Sequence, residues 1–541
     1  MNFSPQQAIL YKKNGKYPGI FTESGGDILK IITGLESSAG AVIISSEKSA
    51  LFVDGRYAFA ATKYVDSQKF DILDLRNEEI TKWIEKNLPA GSSIACDYEY
   101  YTHSEMFFLT SKLKNYQIVQ IDLKKALNIP SPKFAPHIYH LNRSVNRWAC
   151  LLDAINQNNL DGYLICDPCS IAWLLNIRDL NQKYTPVVLG YLLVTKNNEN
   201  FFYLDNQYNS YGEFRSENDL QKDMSRFFRI GIDESQTPVC IKHGGFVDVK
   251  NPCLPLKSIK NSIEIDDIKL AAQKDSSAII NFLYWFHNNT KKITELDAVE
   301  KLLYFREQQE GFVGESFKTI AAADENAAII HYHPCAETNR FVTNILLLDS
   351  GGQYKHGTTD ITRTISIMEP TEEQKFYYTL VLKGHIALAS ALFPFGTVGS
   401  QLEILVRQFL WMHAKDFNHS TGHGIGYMSH VHEGPIAIAR GNNIPLQSGM
   451  ILSNEPGYYQ ENSFGIRLEN MILVTESAFS GYLSFETISL VPFDHKFIHL
   501  ELLSPEDISW LRRYNQCIVS TLKLSANVLH WLQEYYFSNF I

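Results

Sequence analysis

Short apolar runs alternate with helical spacing through the first half of the chain. Ala41-Val42-Ile43-Ile44 and Ser49-Ala50-Leu51-Phe52-Val53 read as buried strands joined by a polar turn. After Asp54-Gly55-Arg56-Tyr57 the spacing turns helical from Ala58 to Lys63, and this mixed α/β pattern spans about Asp27 to Lys125. Pro130, Pro132 and Pro136 stop it, because repeated prolines continue neither helix nor strand. A second α/β pattern follows. Ser144 to Gln157 is helical in spacing, and Gly162 to Cys166, Val187 to Thr195 and Phe201 to Leu204 are strand candidates. Pro252 and Pro255 end it. The two blocks share an alternation of elements but no residue-level repeat.

A third block opens at Ile263-Glu264-Ile265-Asp266-Asp267 as a helix running through Lys274 to about His287. A second helix starts at Thr294, with Glu295 in an acidic first turn suited to the positive end of the helix dipole. The apolar run Leu346-Leu347-Leu348 predicts a strand ended by Asp349. A turn around His356-Gly357 then predicts a second strand carrying Asp360, so a hairpin brings both acids to one end of a sheet. A continuous strand from Gly465 to Val474 puts Arg467 and Glu469 on one face and Ile466, Leu468 and Ile472 on the other. Past Pro492 the chain turns helical again: Ser504-Pro505-Glu506-Asp507 is an N-terminal signal, and Trp510, Leu511, Trp531 and Leu532 supply apolar faces that dock on the body. The pattern predicts an α/β (α+β) protein divided at 1–130, 131–260, 261–495 and a helical 496–541.

Composition narrows the function classes. At 541 residues the chain exceeds one core, and about three or four domains are expected. Apolar residues at 45% and charged residues at 20% are ordinary for a globular protein, while a net charge of −10 argues against one built to lie on nucleic acid or an anionic membrane. Of eight cysteines, only Cys166 and Cys169 have metal-ligand spacing, and no second pair completes a zinc site, so they read as structural. Scattered thiols fit a reducing compartment. Met1 to Gly19 has no signal-peptide pattern, and no apolar run approaches the ~20 residues of a membrane span. A cytoplasmic protein is expected.

The chemistry concentrates between Ser420 and Glu469. Ser420-Thr421-Gly422-His423-Gly424-Ile425-Gly426, Ser453-Asn454-Glu455-Pro456-Gly457 and Gly465-Ile466-Arg467-Leu468-Glu469 place one imidazole and two carboxylates in Gly- and Pro-rich segments, where backbone can lie close to a ligand. Asp349 and Asp360 make the set four acids and one histidine. Taken singly, Asp349 reads as a turn cap, Asp360 as a partner of Arg363, and a lone buried acid as half of an ion pair. Together they form a ligand set for two divalent cations ~3.5–4 Å apart. Oxygen donors with one imidazole and no thiolate favour manganese, ferrous iron or cobalt over zinc. His331, His419 and His432 each read singly as core histidines; beside this set they are candidates to hold a substrate carbonyl and the charge that develops on it.

At these residues the sequence resembles aminopeptidase P, the Xaa-Pro aminopeptidase branch of the pita-bread metallopeptidases, in its long three-domain form. The matching runs are Ile330-His331-Tyr332, Leu348 to Gly351, Gly357 to Thr364, Gly422 to Gly426, Val431 to Pro435, Ser453 to Tyr459 and Gly465 to Asn470. Leu51 to Tyr57 resembles a marker of the first domain, Ile171 to Arg178 one of the second, and the Trp-rich tail the C-terminal extension. The resemblance implies two creatinase-like α/β domains, a pita-bread catalytic domain and a short helical extension. It implies metal ligands at Asp349, Asp360, His423, Glu455 and Glu469, with Asp360 and Glu469 bridging two cations, most often Mn2+, with Fe2+, Co2+ or Zn2+ as alternatives. Glu455 would also be the general base for the attacking water, His331, His419 and His432 would line the substrate site, and Arg467 would be held against a ligand carboxylate. The implied reaction is hydrolysis of the bond between an N-terminal residue and a following proline, by a homodimer, with no nucleic-acid or membrane partner. The residues before Asp27 depart from the usual opening, His356 stands where an acid is usual, and His430 and His333 are additional. Two alternatives remain: a prolidase cutting only Xaa-Pro dipeptides, and a non-catalytic binding module of the same fold.

Overall fold

The computed structural model describes residues 6–17, 27–129, 136–141, 147–197, 199–204, 215–289 and 292–537. Pro130, Pro132, the start of the helical spacing at Ser144, and parts of Met1 to Gly19 lie outside them. The chain separates into two compact units, Met1–Leu254 and Pro255–Ile541.

The first unit is built twice on one plan. Its first sheet runs Asp71–Asp74, Ala50–Val53, Ala41–Ser45, Gln7–Lys12, Ser93–Cys96, Gln117–Gln120. The three inner strands from Ala50–Val53 to Gln7–Lys12 pair antiparallel, and the other neighbours pair parallel. The second sheet runs Arg215–Ser216, Asn200–Leu204, Gly190–Thr195, Gly162–Ile165, Ile230–Ile232, Phe246–Asp248, with the same pattern of antiparallel and parallel pairs. A repeat absent from the residues is thus present in the topology. The α/β pattern also begins earlier than Asp27. Ala8-Ile9-Leu10-Tyr11 is a buried apolar run, and Gln7–Lys12 is a central strand of the first sheet. The Cys166 stretch turns the chain into the helix Pro168–Leu175, where Asp167 caps the amides of Cys169 and Ser170.

The second unit repeats a different order, helix pair then strands. The helix Ser262–Asn288, with a capping box from Asn261 and Glu264, packs on Glu295–Glu307, capped by Thr294 and Asp297. Strands Ile320–Ala323, Ile345–Ser350 and Ile361–Ser366 follow as an antiparallel sheet. Then Glu372–Ala389 packs on Gly399–Trp411, and Leu392–Pro394, Tyr482–Thr487, Asn470–Glu476 and Ile451–Asn454 make a second sheet. The strand expected from Gly465 to Val474 is interrupted. Phe464–Arg467 pairs with Gly457–Gln460, Asn470–Glu476 pairs with Ile451–Asn454, and Leu468-Glu469 is the step between the two sheets. Ile466 before the step, Leu468 within it and Met471 and Ile472 after it are all buried, so hydropathy carries no sign of the break.

At the C-terminal end, Ser504 and Asp507 cap the helix Pro505–Thr521, and Ala526–Tyr535 follows. Leu511 and Leu532 are buried, and the Trp531 ring meets Tyr284 of the long helix at 5.4 Å. Among the described residues no helix is long and apolar enough to cross a membrane.

Candidate metal centre

Asp349 is the fifth residue of the strand Ile345–Ser350, and Asp360 immediately precedes Ile361–Ser366. The two strands pair with Asp349 opposite Thr362. Both acids therefore lie at one end of the hairpin, although Asp360 sits just before its strand. Glu469, on the step between sheets, is tied to the same strand: its amide donates to the Thr362 carbonyl at 3.1 Å, and Thr362 Oγ1 donates to its Oε2 at 2.7 Å. Arg363 does not serve Asp360. Its guanidinium points to the opposite side, onto the carbonyls of Thr362, Glu469, Val491 and Pro492.

His423 comes from the short strand Gly422–His423, and the flanking glycines allow close approach to neighbouring backbone. A Cβ on Gly422 would lie 2.0 Å from the Ser453 carbonyl, and one on Gly424 2.2 Å from the Glu433 carbonyl. Ser453 Oγ accepts the His423 amide at 3.0 Å and donates to Glu455 Oε1 at 3.1 Å, which aligns the two side chains. His423 Nδ1 faces the Gly424 carbonyl at 3.0 Å. A carbonyl only accepts, so Nδ1 carries a hydrogen, and Nε2 is the ring nitrogen that turns inward. There it meets Asp360 Oδ2 at 3.3 Å and Glu455 Oε1 at 3.4 Å. Asp360, His423 and Glu469 each offer a ligand atom within 4.8 Å of the others.

This set fits divalent cations on its own chemistry. Burial first, then the charges of Asp349 and Glu455, push the Asp360 carboxyl well above the usual carboxylate range. Burial and the charges of Asp360, Glu455 and Asp349 do the same for Glu469, and burial raises Glu455. Asp349 Oδ1 is buried and accepts no hydrogen bond among the described residues. Crowded acids, an imidazole nitrogen turned among them and an orphaned carboxylate oxygen are the donors that a cation between them would satisfy.

Behind the acids, Arg467 donates to Asp349 Oδ2 at 2.7 Å and to the Tyr459 hydroxyl at 2.8 Å. His419 Nδ1 donates to the Ser420 carbonyl, and its Nε2 hydrogen-bonds with that hydroxyl at 2.8 Å. A chain of hydrogen bonds thus joins Asp349 to His419, whose ring also lies 3.8 Å from Glu455 Oε2. The His432 ring is exposed and stands 4.0 Å from the buried His423 ring. His430 Nδ1 donates to the His432 carbonyl at 2.8 Å. His331 follows the turn Asp324–Ala328, which is pressed against the strand bearing Arg467: a Cβ on Gly465 would lie 1.8 Å from the Ala327 carbonyl. His333 lies two residues further on and is half-buried. His356 turns away, 3.8 Å from Asp267, which also accepts from Tyr427.

Sequence reasoning missed several residues here. Tyr459, Thr362 and Ser453 lie inside the matching runs, yet nothing in their spacing marks them. Glu433 does carry a signal, as an acid next to a candidate histidine. It is buried between Lys260 at 2.7 Å and Lys257 at 3.2 Å.

Residues 266–476 match the profile of metallopeptidase family M24, and 481–536 that of its C-terminal region. Residues 29–125 and 133–264 each match a creatinase/prolidase N-terminal domain, in line with the twice-built first unit. A peptidase of Schizosaccharomyces pombe is 34% identical, over 93% of this chain and 92% of its own. Aminopeptidase P1 of Arabidopsis thaliana is 30% identical, over 98% and 96%. The crystal structure of X-prolyl aminopeptidase from Caenorhabditis elegans, described as a cytosolic enzyme with a di-nuclear active site, superposes with a TM-score of 0.91 at 27% identity, covering 98% of this chain and 95% of that one. With its two creatinase-type domains, its catalytic unit of paired helices and strands, and its acids gathered round His423, the chain belongs to metallopeptidase family M24, in the aminopeptidase P group.

Proposed function

We propose that this protein is an Xaa-Pro aminopeptidase, hydrolysing the bond between an N-terminal residue and a penultimate proline. The observation that carries the reading is the His423 Nε2 facing Asp360 and Glu455, with Glu469 in reach, in a chain that aligns nearly end to end with Aminopeptidase P1. Asp349, Asp360, His423, Glu455 and Glu469 would hold two divalent cations, with Mn2+ favoured by oxygen donors around one imidazole. Bound there, the cations supply a water of lowered pKa and an electrophile for the scissile carbonyl.

The remaining steps belong to the chain. Glu455, aligned by Ser453, takes the proton of the attacking water and passes it to the proline nitrogen as the C–N bond breaks. An amide anion is too basic to depart, so that nitrogen leaves only when protonated. His432, on the exposed side of His423, donates to the oxygen on which charge develops, and His331 and His419 line the same substrate site. Arg467 fixes Asp349 and, through Tyr459, the orientation of His419. Cytosolic residence and assembly as a homodimer belong to this reading; the former is supported by the description of the C. elegans relative.

The deciding experiment uses chelator-stripped protein with Mn2+ restored, on an Xaa-Pro tripeptide and the matching dipeptide. Metal-dependent release of the first residue from the tripeptide is expected. Cleavage of the dipeptide alone would make the protein a prolidase, and inactivity on both with metal bound would leave a binding module.

A further inference from the structure

Arg363 is 2% exposed and its partners are neutral acceptors. Nε donates to the Pro492 carbonyl at 3.0 Å, and Nη1 to the carbonyls of Thr362 at 2.8 Å and Glu469 at 2.6 Å. Nη2 donates to Asn470 Oδ1 at 2.7 Å, to the Val491 carbonyl and to the Tyr514 hydroxyl at 3.1 Å. The guanidinium lies 4.3 Å from the centre of the Phe493 ring. Burying a cation without a carboxylate is costly, and a planar fork repays it only by bonding in several directions at once. Here the fork spans three segments: the strand beginning after Asp360, the step bearing Glu469, and the stretch 491–493 with the C-terminal helix behind it.

We infer that Arg363 is a positioning residue for the acids, and that the helix Pro505–Thr521 takes part in cation binding through Tyr514. The inference rests on the ligand assignment proposed above. Nη1 grips the carbonyls of the two residues whose side chains meet in the Thr362–Glu469 hydrogen bond, so it sets the spacing of Glu469 from Asp360, two residues before Thr362. On its far side Arg363 is held by Tyr514, whose hydroxyl also accepts the Val491 amide at 3.1 Å and lies 2.8 Å from the Val491 carbonyl and 2.9 Å from that of Ser489. Leu511 and Ile518 bury the same helix face, and the Trp510 ring stacks on Tyr514 at 5.0 Å. Removing the Tyr514 hydroxyl frees the guanidinium to shift, and the carbonyls of Thr362 and Glu469 shift with it.

The test is calorimetric titration of the metal-free full chain with Mn2+. Tyr514→Phe and Arg363→Lys are expected to weaken Mn2+ binding about tenfold, as outer partners of ligands do. Tyr536→Phe is the control: it removes another hydroxyl of the C-terminal segment, one that hydrogen-bonds His287 Nε2 at 3.1 Å and is not among the hydrogen-bond partners of Arg363. That variant is expected to melt lower yet bind Mn2+ as the wild type does. Should Arg363→Lys fail to fold, Tyr514→Phe decides alone. Wild-type affinity in Tyr514→Phe, or equal weakening in Tyr536→Phe, overturns the inference while leaving the ligand set intact. A wild type that takes up no Mn2+ overturns the ligand assignment itself and this inference with it.

Discussion

His423 and His432 stand ring to ring, but their surroundings assign them different work. The first is buried with its Nε2 among carboxylates, and the second is exposed beside it. Under the proposed function, His423→Ala loses bound Mn2+ along with activity. His432→Ala keeps near-normal metal content and loses about 10²–10³ in kcat. Metal analysis with steady-state kinetics separates the two, and the reverse pattern would exchange their roles. Asp349 and Asp360 divide in a similar way. In chelator, Asp360→Asn is expected to raise the melting temperature, because it removes one of several buried acids that repel one another. Asp349→Asn is expected to lower it, because Arg467, itself buried, loses its anion. Equal shifts in thermal melts would contradict this division. The acids were legible in sequence because they stood in distinctive Gly- and Pro-rich segments. The residues that orient them, Tyr459, Thr362 and Arg363, were not, since their partners lie on strands that only the fold brings near.

Elements were legible where local chemistry decides them. Thr294 with Asp297 and Ser504 with Asp507 form capping boxes at the helix starts expected from sequence. The break at Leu468-Glu469 was hidden, because a change of sheet is decided by the partner strands and leaves the apolar alternation intact. The helix start at Glu295 has a second task. Its Oε1 accepts from the Ala323 amide and Asn326, and its Oε2 from Tyr332 and the Arg340 amide, so one carboxylate gathers the loop that carries His331. Either amide orientation in Glu295→Gln turns an NH2 group toward donors. The expected cost is about 1–3 kcal/mol of stability in denaturant unfolding, with kcat reduced and Mn2+ content retained. Lost stability with unchanged kcat would confine Glu295 to the fold.

At the scale of the whole molecule, both units are built by repetition that the residues do not display. Buried strands need only apolar side chains of suitable shape, so the two sheets of the first unit keep strand order and direction while their sequences diverge. The catalytic unit likewise pairs helices twice before its strands, and the acids gather in one buried set from both halves: Asp349 and Asp360 from the first, Glu455 and Glu469 from the second. Such a centre ties global stability to pH and to metal. Without cations, burial and mutual repulsion hold the Asp360 and Glu469 carboxyls above their unfolded values. The folded protein therefore binds these protons more tightly than the unfolded chain does. Their contribution favours folding below the unfolded carboxylate value of about 4, and is lost as pH rises through the raised folded values. Cations compete for the same oxygens and displace those protons, so they recover most at high pH. The rise in melting temperature on adding saturating Mn2+ is expected to grow steadily between about pH 5 and pH 8. Melts at matched ionic strength, with chelator in one series and Mn2+ in the other, measure it. A rise that stayed constant or shrank with pH would mean that the acids around His423 are not what the cations bind.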